Sequence, residues 1–64
     1  MKYPDITVNL IGFNGNAFFI LGKCIREMKR AGLGKEVQDE FVKEATSGNY
    51  DKLLATCLDW FDVQ

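Results

Sequence analysis

Four sets of residues in this chain have types and spacings that could do chemistry. The first is the cysteine pair, Cys24 and Cys57. Two thiols fall short of a disulfide framework, no C-x-x-C occurs, and structural zinc wants four nitrogen or sulfur ligands. Both fall on apolar helical faces, so buried free thiols are expected. The second set is the glycine turn Gly12-Phe13-Asn14-Gly15, which follows a strand-like run and opens a helix in the manner of a phosphate-cradling loop. Gly15 and Gly22-Lys23-Cys24 stand too far apart for G-x-x-x-x-G-K-[ST], and no hydroxyl follows the lysine. One RNA-binding module clamps its ligand with G-x-x-G, but between two helices rather than after a strand. A tight turn needing positive φ accounts better for these glycines.

The third set is a basic stripe, Lys23, Arg26, Lys29 and Arg30, with Phe19 landing among the cations. Such a stripe can contact phosphates or an acidic protein surface. It can equally be a solvated face paired with the acidic second helix. Phe19, Lys23, Arg26 and Arg30 are the candidate partner-binding residues. The fourth set, the nine Asp and Glu, reads as solubilising charge on solvent faces. Histidine is absent, which removes imidazole acid–base catalysis, nucleophile–histidine pairs and the commonest metal ligand. No catalytic, cofactor-binding or metal-ligating residue is assigned, no cofactor is expected, and an enzyme is not expected.

The elements that must position these residues follow from periodicity. Asp5 to Ile11 alternates, with Ile6, Val8 and Leu10 on one side and Thr7 and Asn9 on the other, as in a half-buried strand. Pro4 is placed in the lead-in. Asn14 or Asn16 can cap the next helix, predicted over 17–31. At about 100° per residue Ala17, Phe18, Ile20, Leu21, Cys24, Ile25 and Met28 share one face, with the basic stripe opposite. Gly22 is expected to border the packed face and to let another element approach. Gly32 suits the left-handed position past the helix end.

A second helix, about 35–47, repeats Leu33, Val37, Phe41 and Ala45 every four residues, and its outer face is mainly acidic. The helix–AGLG–helix segment superficially suggests a helix-turn-helix, but an acidic second helix would be repelled by DNA phosphates. The third helix, about 50–61 with Asn49 or Ser47 as cap, places Tyr50, Leu53, Leu54, Cys57, Leu58, Trp60 and Phe61 inward, with Asp51, Lys52, Ala55, Thr56 and Asp59 outward. Residues 60–64 are ambiguous between the end of this helix and an extended segment beside the first strand.

Sixty-four residues make a single small domain, 1–64, in the range where one core gives marginal stability. With 47% hydrophobic residues the chain is not a disordered one. The net charge of −1 supplies no global pull toward nucleic acid or membrane. The charge is nonetheless split: Lys2, Lys23, Arg26, Lys29 and Arg30 face only Asp5 and Glu27 in residues 1–34, and acids dominate residues 35–64. That split can mark a polarised surface, or two halves that attract each other. MKYPDITVNL lacks the apolar run of a signal peptide and nothing reaches transmembrane length, so a cytoplasmic protein is expected.

The stretches DITVNLIG, GNAFFILGK, RAG and EATSGNYDKLLATCLDW, in that order, cover nearly the whole chain. Together they resemble a family of small proteins of unknown function from bacterial genomes, plasmids and phages. The resemblance implies a bacterial or mobile-element origin and a cytoplasmic site. It brings no activity, cofactor or functional residue with it.

The expected architecture is α+β, one N-terminal strand followed by three amphipathic helices. The strand is completed by the C-terminal tail or by the same strand of a second copy, since an unpaired strand leaves backbone groups without partners. A homodimer is favoured over a monomer because it would also enlarge a small core. The expected function is a non-enzymatic protein-interaction or regulatory module, its partner another protein or itself. Weak nucleic-acid binding through the basic face of the first helix is the alternative. No membrane or small-molecule partner is expected.

Overall fold

A computed structural model describes residues 1–12 and 15–64. The elements run β1 (Tyr3–Val8), α1 (Ala17–Arg30), α2 (Lys35–Ala45), α3 (Tyr50–Trp60) and β2 (Phe61–Val63). The fold is α+β. β1 and β2 pair side by side and parallel, so the three helices together form the crossover between them.

The C-terminal tail is the partner of the first strand. Trp60 ends α3 and the chain turns extended at Phe61, where φ is −129° and ψ 165°. Thr7 faces Asp62 and Val8 faces Val63, while Tyr3 faces Phe61. The register therefore breaks between Tyr3 and Thr7, where β1 holds more residues than β2 has to pair. Pro4 stands in that break and has no N–H to offer a ladder. Backbone bonds on either side hold the ends, Lys2 N–H to the Asp59 carbonyl at 2.9 Å and Gln64 N–H to the Val8 carbonyl at 2.9 Å. The strand thus begins at Tyr3 and ends at Val8, earlier at both ends than alternation over 5–11 suggests, because its extent is set by how far the short tail reaches. Leu10 still bonds the Gln64 carbonyl, at 3.1 Å.

Each helix is delimited by local chemistry. The Asn16 and Asn49 side chains accept the Phe19 and Lys52 N–H groups, at 3.2 and 3.1 Å, filling orphan donors of a first turn. Asn14, the other candidate cap, lies outside the described residues. After α1, Gly32 takes φ +84°. There its N–H bonds the Lys29 carbonyl and the Leu33 N–H bonds the Met28 carbonyl, both at 3.0 Å, which closes the helix with a left-handed cap. Gly12 and Gly15 also have positive φ, 90° and 79°, as the turn reading of these glycines requires.

One core joins all five elements: Ile6 and Val8, Ile20, Cys24 and Met28, Phe41 and Ala45, Leu53, Cys57 and Trp60, and Phe61. Its centre is aromatic. Phe41 meets Trp60 edge-on at 5.3 Å between centroids and lies 5.2 Å from Phe61, and Tyr3 covers Trp60 at 5.8 Å. The Trp60 indole N–H donates to Glu44 Oε2 at 3.1 Å, and Lys2 Nζ sits 4.2 Å above the ring. The polar edge of this side chain is therefore satisfied while its body is buried.

The helix phases differ from expectation in four places. Phe18 is exposed, because it stands about 120° round the helix from Cys24, the middle of the buried arc. Ala17, in the first turn, is exposed as well. Gly22 is exposed and a Cβ there would meet nothing within 4 Å, so it is no packing notch. In α3, Leu58 is outside and Thr56 inside. The buried arc of α3 centres on Leu53, Cys57 and Trp60, and Thr56 satisfies its hydroxyl by donating to the Lys52 carbonyl at 2.8 Å. No helix among the described residues is long and apolar enough to cross a membrane.

Candidate functional site

Since Ile20, Cys24 and Met28 anchor α1 to the core, its opposite side must face water. Phe18, Gly22, Arg26 and Lys29 lie along that side at four-, four- and three-residue steps. Phe19 and Lys23 flank it. Phe18, Phe19, Gly22, Lys23 and Arg26 line a shallow open groove of about 250 Å³. Phe18 is 88% exposed and Phe19 62%. The missing side chain at Gly22 forms the floor. Small-molecule pockets run from roughly 300 to 1,000 Å³ and are enclosed, so a depression of this size and openness suits a single side chain.

Of the four residues expected to meet a partner, Phe19, Lys23 and Arg26 come together at the groove. Arg30 lies a turn further on and does not line it. Instead it reaches Glu27, 3.7 Å from guanidinium to carboxylate. Lys23 contacts the same Glu27 carboxylate at 3.3 Å. Glu27 thus partly neutralises one flank of the stripe from within α1. Arg26 and Lys29 have no ion pair among the described residues. Among the described residues no ion pair joins the stripe to the acidic outer face of α2, and the one described bridge between the two halves of the chain joins Lys2 to Glu40 at 3.7 Å.

Phe18 is the lining residue that the reading at about 100° per residue places on the packed face. Its phase was the available signal, since it falls nearer Gly22 and Lys29 on the helical wheel than Cys24. A second, apolar seam of about 200 Å³ runs between the start of α1 and the α2–α3 turn, lined among others by Leu21, Tyr50 and Leu53. Tyr50 Oη accepts the Gly15 N–H at 2.8 Å across the end of this seam and ties the loop before α1 to α3.

The two thiols lie on the inner side of α1. Cys24 and Cys57 are free and fully buried, with their Sγ atoms 3.6 Å apart. The hydrogen bond to Cys57 and burial push the Cys24 thiol far above the ordinary range. The same bond lowers Cys57, against the effect of burial. The pair is a mutually bonded dithiol inside the core.

Comparison of the chain with protein-family models, curated proteins and solved structures yields no match.

Proposed function

We propose that this chain is a small non-enzymatic protein-interaction or regulatory module of phage or mobile-element origin, acting in the cytoplasm through the outer face of α1. The observation that carries the reading is Phe18, 88% exposed beside the open Gly22 position and next to the unpaired Arg26. A large aromatic side chain left in water on a well-packed helix is unfavourable unless it has something to cover it. Aromatic residues and arginine are the types that anchor protein interfaces. A second copy is not required to complete the sheet, because β1 already has β2 beside it. On this reading the partner is a protein surface, of another protein or a second copy, with an apolar side chain for the groove and acidic groups for Arg26 and Lys29.

Nucleic acid is the second reading, favoured by the same juxtaposition, since bases stack on aromatic rings and phosphates pair with cations. With a net charge of −1 and no second basic element, it would be weak and steeply salt-dependent.

Affinity capture at physiological salt, from a lysate of the native host, compares the wild-type chain with Phe18→Ala/Arg26→Glu. The expected result is a partner recovered reproducibly by the wild type and lost by the double variant, whose circular dichroism is unchanged. No reproducible partner, or equal recovery by both chains, overturns the reading. A mobility shift of single-stranded DNA or RNA that Lys23→Glu/Arg26→Glu abolishes transfers it to nucleic acid.

A further inference from the structure

The core holds a feature that docking through α1 does not use. Cys24 on α1 and Cys57 on α3 are the only cysteines of the chain, 33 positions apart, and their sulfurs touch at 3.6 Å with no exposure to solvent. We propose that Cys24 and Cys57 form a reversible intramolecular disulfide site, closed by a small hydroperoxide, which clamps α1 to α3 without changing the fold.

The geometry needs little adjustment. A disulfide bond is about 2.05 Å long, so the sulfurs must approach by roughly 1.6 Å in total. Rotation about the two Cα–Cβ bonds can supply most of that, because the side-chain hydrogen bond described for each thiol is the one to the other. Burial favours closure within the chain over mixed products, since a larger thiol or disulfide reaches either sulfur less readily than the neighbouring thiol does. It also makes the reaction wait for α1 to open briefly from α3, and such an opening admits a small oxidant more readily than a large one.

The chemistry balances in two steps. One sulfur, as its thiolate, attacks a peroxide oxygen; the O–O bond breaks, the departing oxygen takes the proton released by that thiol and leaves as an alcohol, or as water from hydrogen peroxide. The sulfur is left as a sulfenic acid. The second thiol attacks that sulfur, the S–O bond breaks, and the hydroxyl leaves with the second thiol's proton as water. Two thiols are oxidised by two electrons and one peroxide is reduced by two. A dithiol reductant reverses the outcome by exchange.

The closed link spans the second half of α1, all of α2 and most of α3. Restricting the unfolded chain over a loop of this length is expected to raise Tm by about 10 °C or more in so small a domain. The test uses the whole reduced chain, desalted and exposed to hydrogen peroxide in native buffer and, separately, in urea above the unfolding midpoint. The expected native product is a monomer lighter by two hydrogens, with a Cys24–Cys57 peptide on mapping, the raised Tm, and full reversal by dithiothreitol. Cys24→Ala and Cys57→Ala should show neither the mass loss nor the Tm shift. Disulfide formed only in urea, disulfide-linked dimers, sulfinic or sulfonic acid in place of the bond, or a bond that leaves Tm unchanged or lower would overturn the proposal.

Discussion

Among single described residues, Phe18 and Phe41 stand at opposite extremes of burial. Both look like core from their type, yet Phe41 is fully buried against Trp60 and Phe61 and Phe18 is 88% exposed. Removing the Phe41 ring deletes contacts on every side and leaves a cavity. Phe41→Ala is expected to lower stability by about 3–5 kcal/mol, enough to unfold much of a domain this small. Phe18→Ala should change it by no more than about 0.5 kcal/mol. Urea denaturation followed by circular dichroism measures both, and equal effects would contradict the burial described. Phe19, Lys23 and Arg26 are legible in the sequence as an outer stripe because cations and a ring recur on one side of a regular helix. Phe18 was not, because the expected apolar face is wide enough to include it, although it stands about 120° round the helix from Cys24. The expected face of α3 takes in Leu58 in the same way.

Between elements, the decisive pairing is β1 with β2. β2 is only three residues long, yet it supplies the Gln64–Val8 and Leu10–Gln64 bonds at its end and buries Phe61 at its start. Without it, β1 would present an unpaired ladder and the aromatic cluster would lose one of its rings. A chain truncated after Trp60 is expected to lose its cooperative thermal transition, whereas removal of Gln64 alone should lower Tm and leave the transition intact. Differential scanning calorimetry distinguishes the two, and a folded 1–60 chain would show that the tail is dispensable. The helices are set more locally. Their asparagine caps and Gly32 are visible as sequence signals, and their observed limits fall within two residues of expectation. The tail carries no such signal, since Trp60-Phe61-Asp62-Val63 fits a helix end or a strand equally well until β1 lies beside it.

For the whole molecule, the question is where the uneven charge goes. The described ion pairs are few and partly exposed, and two of the three lie within α1, so they contribute little to folding. Raising NaCl from about 20 mM to about 500 mM cuts the Debye length from roughly 20 Å to about 4 Å. Across that range Tm is expected to move by less than about 3 °C, read by differential scanning fluorimetry. A fall of many degrees on adding salt would mean that attraction between the two halves holds the fold. The sequence alone determined the α+β class, three amphipathic helices, two buried thiols and a basic outer stripe, because periodicity, caps and turn glycines act over a few neighbouring residues. Only the tertiary structure decided that the tail is a parallel strand, that no described ion pair joins the basic stripe to the acidic helix, that Phe18 stands in water, and that Cys24 touches Cys57. Each of those depends on residues far apart in the chain. No local pattern encodes the rotation and distance at which two packed elements meet.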